Sequence, residues 1–144
     1  MANRHKARQS ALEVLYAWHN GEQDSASIPS LLAGRLSEEG RSDQDNDYLR
    51  EMVQGVVAQA EDIDQLIGGA VRGRSLKSIA HIEHNVLRMA VWEMTNRLEI
   101  PYRVIINEAL ELARAYADEP GRGFINGVLD RLAHELRKEE FRPA

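Results

Sequence analysis

The sequence predicts an all-α protein: two packed helical bundles, about seven helices, in one compact domain. Three observations predict this. Apolar residues recur at helical spacing in each long segment, and no segment alternates convincingly with period 2. The length, 144 residues, suffices for one real core but is short for two independent ones.

The elements follow in order. RHKARQSALEVLYAWH (4–19) places Ala7, Ala11, Val14, Leu15 and Trp18 at helical spacing. After the polar connector NGEQDSAS, IPSLLAGRLSEEG reads as a short helix with Pro29 near its first turn and Gly40 at its end. DQDNDYLREMVQGVVAQAEDIDQLI opens with capping acids and keeps Leu49, Met52, Val53, Val56, Ala60, Ile63 and Ile67 in register, the longest helix expected. GGAVRGRS then breaks the pattern, separating an N-terminal half of about 1–68 from a C-terminal half of about 76–139. In the second half Ile82, Val86, Met89 and Ala90 lead one helix, residues 101–116 form the next and 120–138 the last.

The stretch IPYRVIINEALELARAY carries Tyr102, Ile105, Ile106, Ala109, Leu112, Ala113 and Tyr116 on one broad face, which Val104 and Leu110 widen. So wide an arc predicts the central helix of the C-terminal bundle. In the preceding helix Glu93 shares a face with Val86, Met89 and Ala90. A buried carboxylate is costly unless bonded, so Glu93 is expected to cap the free N–H groups at the start of the 101–116 helix.

Composition excludes several classes. Without cysteine there is no disulfide, thiolate nucleophile or Cys-based metal site, in keeping with a reducing compartment. No apolar stretch approaches the roughly 20 residues of a membrane span, and MANRHKARQS lacks a signal-peptide core, so a soluble, cytoplasmic protein with no membrane partner is expected. The net charge of −5 argues against coating nucleic acid by bulk charge. Residues 1–8, however, hold Arg4, Lys6 and Arg8 and no acid, whereas residues 9–70 hold twelve acids against three bases. Anion binding would therefore be local.

No catalytic or metal site emerges. HIEH (81–84) has the wrong spacing for a zinc hydrolase, and in GRGFING the third glycine falls one position late for a dinucleotide loop, with no strand before it. The first helix is more informative. Arg4 and Arg8 fall in the angular sector that Leu15 occupies further along, at the dipole's positive end, where cations are disfavoured. Either this is a solvated basic terminus or its first turns reach a polyanion. Tyr16 and Phe124 lie at the margins of their helices' apolar arcs, Phe124 beside Arg131 and Gly127. Such aromatics are half-buried packing residues or, beside cations, platforms for unpaired bases.

HKARQSALEVLYAWH, DYLREMVQGVV with IDQLI, VLRMAVWEM, IPYRVIINEALELA and FINGVLDRLAHEL stand in the order and spacing of the transcription antitermination factor NusB family, which the chain resembles outside residues 20–45 and the last few. The resemblance implies a NusB-like fold without catalytic residues or cofactor. It also implies binding of boxA RNA jointly with NusE, a small-subunit ribosomal protein, within the RNA polymerase antitermination complex that reads through terminators, notably in ribosomal RNA operons. It assigns RNA contacts to Arg4, His5, Lys6, Arg8, Tyr16 and Phe124 and a partner contact to Glu83. Pro120-Gly121-Arg122-Gly123 departs from the family's acidic residue, Ser and basic residue before Phe; Arg122 is the candidate for the missing charge. Arg74 stands where many members have Trp. Some members also form homodimers.

Two other readings are open: a NusB-like accessory domain of a ribosomal RNA cytosine methyltransferase, and a helical protein-interaction module. The chain has no Rossmann-like segment after its last helix and no cysteine for methyl transfer, so the antitermination reading is the one expected.

Overall fold

The computed structural model describes residues 2–37 and 40–142, and these form seven α-helices, three short 3-10 turns and no strand. The helices are α1 (Arg4–Asn20), α2 (Ile28–Leu36), α3 (Asn46–Ala58), α4 (Ala60–Ala70), α5 (His81–Asn96), α6 (Tyr102–Tyr116) and α7 (Glu119–Leu136). They fall into two compact units, residues 1–58 and 59–144.

In the first unit α1 packs on α2 and α3. Its apolar stripe is fully used: Ala7, Ala11, Leu12, Val14, Leu15 and Trp18 are buried against Leu32, Tyr48, Leu49, Met52, Val53 and Val56. Asn3 caps α1, its side chain accepting from the Lys6 amide at 3.0 Å. The loop before α3 is tied to α1 by the Asn3 amide donating to the Asp43 carbonyl (2.8 Å) and the Asp45 amide donating to the Asn3 carbonyl (3.0 Å). Ser10 Oγ reinforces it by donating to Gln44 Oε1 at 2.7 Å.

The long helix expected from residue 46 onward is interrupted at Gln59, and its second part, α4, belongs to the second unit. α4 also runs through Gly68 and Gly69 to Ala70, so the sequence break falls later, at residues 71–75 and within the second unit rather than at its edge. Two glycines in a last helical turn cost little once the preceding turns are anchored by Ile63 and Ile67, which are 2% and 0% exposed.

The second unit corrects the expectation for its centre. α5, not α6, is the central helix: it packs on α4, α6 and α7, and every residue from His84 to Met94 is buried. α6 buries a narrower arc, Ile105, Ile106, Ala109, Leu112 and Ala113, while Val104 and Tyr116 are exposed. The polar residues of α5 are accommodated by an internal network. Arg88 donates through Nε to Asp64 Oδ1 (2.9 Å) and through Nη2 to Asp64 Oδ2 (2.8 Å). His84 Nε2 meets Asp64 Oδ1 at 2.8 Å, and Arg88 Nη1 donates to Asn85 Oδ1 at 3.1 Å.

Glu93 is buried, 2% exposed, as its place among Val86, Met89 and Ala90 implies. The first amide of α6, the Tyr102 N–H, donates to the Glu140 carboxylate at 2.9 Å. Sequence reasoning did not consider Glu140, which is 38 residues away along the chain.

Candidate nucleic-acid interface

The basic start of α1 is partly neutralised from within. Lys6 Nζ donates to Asp43 Oδ1 at 2.7 Å, and Arg4 Nε lies 3.8 Å from Asp45 Oδ2. The bond from Lys6 holds the Asp43 carboxyl below its usual range. Arg4 also lies over the Tyr48 ring, 4.4 Å from its centroid. Arg8, expected to contact RNA, is 5% exposed, with its guanidinium 5.6 Å from the same ring. It lies against Tyr48 rather than meeting solvent, and an aromatic face lets a buried guanidinium replace part of its hydration. His5 is half-buried, with its Nε2 3.5 Å from Gln9 Nε2. Tyr16 is exposed, at 39%, and lies about 15 Å along the helix from Lys6.

In the second unit GRGFING is helical rather than a loop. Asp118 caps α7 by accepting from the Gly121 amide at 2.8 Å, and Pro120 occupies the first turn, where its missing N–H costs nothing. Gly121 makes a close approach possible: a Cβ there would lie 3.0 Å from Asp118 Oδ1 and 3.1 Å from Glu83 Oε2, so either side chain would have to shift. Glu83, assigned to a partner contact, is half-buried with its carboxylate at the positive end of α7.

Phe124 and Arg122 do not act as a pair. Two residues apart on a helix, they point about 200° apart. Arg122 lines a shallow groove with Leu110, Arg114, Glu119, Gly123 and Asn126 and donates to the Ala117 carbonyl at 3.3 Å. The half-buried Phe124 is covered instead by Arg74, whose guanidinium is 4.1 Å from the ring centroid. Arg74 is the residue that sequence reasoning did not place in the site. Its one signal was its substitution for the family's Trp.

Among the described residues no cluster of His, Asp and Glu suits a metal ion, and no helix is long and apolar enough to cross a membrane.

Residues 5–134 match the NusB family. The chain is 39% identical over 137 residues to the transcription antitermination protein NusB of Pectobacterium carotovorum, covering 95% of this chain and 96% of that one. With its counterpart from Sodalis glossinidius identity is 38%, covering 94% and 95% of the two chains. The fold is similar to T. maritima NusB, with a TM-score of 0.86 and 29% identity over 98% of this chain and 99% of the other. It is also similar to a chain in a complex of the antitermination factors NusB and NusE with double-stranded RNA, with a TM-score of 0.74 and 26% identity over 92% and 96% of the two chains.

Proposed function

The chain belongs to the NusB family, and from that membership we propose that it is an RNA-binding transcription antitermination factor. In this reading it binds boxA RNA together with NusE, joins the RNA polymerase antitermination complex in the cytoplasm and catalyses no reaction. The observation that carries the reading is the near-full-length match to proteins of that name, over 95–96% of their own length. That coverage favours it over an accessory domain of a methyltransferase. The match also runs through both units, which supports treating them as one family domain.

In this proposal Arg4, His5 and Lys6 contact phosphates, Tyr16 and Phe124 stack on bases, Arg122 adds a cation and Glu83 contacts the partner. Arg8 packs beside Tyr48. Equilibrium binding to a boxA oligonucleotide tests the assignment. Phe124→Ala is expected to weaken binding by about 1–3 kcal/mol with little change in salt dependence. Lys6→Ala should reduce the log–log salt slope by no more than about 0.7, because RNA must first displace Asp43 from Lys6. For the same reason Asp43→Asn should tighten binding. A Phe124→Ala protein that melts several degrees lower, yet binds normally once folded, would reassign the ring to the core.

NusE is expected to raise affinity for boxA RNA, since an acidic protein with small basic patches offers limited contact alone. Linkage then requires RNA to tighten NusE binding by the same factor. Calorimetric titrations of each ligand in the presence of the other check this, and mutual indifference would remove the adaptor mechanism.

A further inference from the structure

The connector between α4 and α5 is the most cationic exposed surface that the family's RNA contacts leave unused. Residues 71–80 contain Arg72, Arg74 and Lys77 and no acid, and all three cations are exposed. Among the described residues none of the three forms an ion pair; Arg74 donates one bond, to the Ser78 carbonyl at 3.3 Å. This contrasts with α1, where Lys6 and Arg4 face Asp43 and Asp45. In a chain of net charge −5, uncompensated cations gathered on one short segment make a local positive field that the rest of the surface opposes.

The segment is also held in shape. Val71 and Ile79 bury its two ends, at 8% and 3% exposure, and Arg131 Nε donates to the Ala70 carbonyl at 2.9 Å. Gly73 adopts φ +70°, a left-handed conformation that favours glycine and reverses the backbone between the two arginines. Arg74 is then fixed by its stack on Phe124. The guanidinium over the ring sets a cation beside an aromatic group. That combination suits a single-stranded nucleic acid, whose bases stack on aromatic and guanidinium planes while its phosphates seek cations.

We propose that Arg72, Arg74 and Lys77 form a phosphate-binding surface for single-stranded RNA, with the Arg74–Phe124 stack as its fixed point. The proposal rests on the antitermination reading and adds residues to its RNA site. Because the α1 cations must be released from acids first, the connector carries the larger share of the salt dependence.

The test is fluorescence anisotropy with a boxA oligonucleotide and an oligouridylate of equal length, over a KCl series. Arg72 and Lys77 make no polar contact within the described fold, so Arg72→Glu with Lys77→Glu remains folded by melting temperature. This variant should reduce the slope by at least about 1.4 for both RNAs, at about 0.7 per lost phosphate contact. Affinity at ~0.1 M salt should fall at least ~25-fold on the same scale. Arg74→Lys should keep the slope but bind several-fold more weakly, having lost the planar stack. A folded Arg72→Glu, Lys77→Glu protein with wild-type affinity and slope overturns the proposal and leaves the antitermination reading standing. Failure of the wild-type chain to bind boxA RNA even at low salt, with or without NusE, overturns both.

Discussion

Arg88→Ala is expected to destabilise the second unit by about 3–5 kcal/mol, the usual cost of removing one partner from a buried ion pair. Arg88 is 1% exposed, and its side chain supplies two bonds to Asp64 and one to Asn85. Its loss leaves the Asp64 carboxylate, whose side chain is 23% exposed, with His84 as its remaining protein partner. Thermal melts should show a fall on the order of 10 °C. Replacing both charges, as Arg88→Met with Asp64→Leu, should recover most of the loss, because a well-packed apolar pair of similar volume can match a buried ion pair. If Arg88→Ala alone costs under 1 kcal/mol, water reaches the site and the network is not what fixes α5.

The same network sets an acid limit. Burial works against ionisation of Asp64, but the bonds from Arg88 and His84 and their charges outweigh it and lower its pKa from 3.8 to about 2. A depressed carboxylate contributes stability that is present above its unfolded pKa and lost as the pH falls through the folded one. About 2 kcal/mol should therefore disappear between roughly pH 4 and pH 2. Urea unfolding of wild type and Asp64→Asn across that window checks it: the variant should start lower and show a flatter acid limb.

This network also explains what sequence could and could not disclose. The stripes of α1 and α3 were readable because each turns polar residues outward and apolar ones inward. α5 defeats that rule. His84, Asn85, Arg88 and Glu93 are as buried as Val86 and Leu87, so a helix surrounded on all sides reads as amphipathic and α6 is taken for the centre in its place. The position of Asp64, 24 residues before Arg88, makes His84 and Arg88 compatible with the core. At the interface the signals were likewise unequal. Lys6, Tyr16 and Phe124 announced themselves by charge or by marginal position on a helix. The burial of Arg8 depends on Tyr48, and the cover over Phe124 depends on Arg74, pairings across tens of residues that carry no periodicity.

The second large effect belongs to a residue that sequence reasoning passed over. Arg137 is 5% exposed and donates to the carbonyls of Met94 (2.9 Å), Ile100 (2.8 Å), Arg97 (3.1 Å) and Glu93 (3.4 Å). It thereby serves the end of α5 and the turn that follows, where the Glu93 and Arg97 carbonyls also accept from the Arg97 and Ile100 amides and the Met94 and Ile100 carbonyls depend more on the guanidinium. It also pairs with Glu140, which in turn accepts from the first amide of α6, so one guanidinium and one carboxylate fasten three helices at this end. Arg137→Ala should cost about 3 kcal/mol, because it leaves the Met94 and Ile100 carbonyls without their side-chain donor and removes the partner of Glu140. Arg137→Lys should recover little: a point charge with three donors cannot reproduce a planar fork spread over four carbonyls and a carboxylate. Glu140→Ala should cost about 1 kcal/mol, as for the loss of one helix cap. Phe124 sits about 20 Å along α7 from Arg137, so the folded fraction of each variant should bind boxA RNA normally. Chemical denaturation with binding measured on the folded protein checks both points. Wild-type stability in Arg137→Lys would mean that charge alone holds this corner and that the carbonyl geometry is incidental.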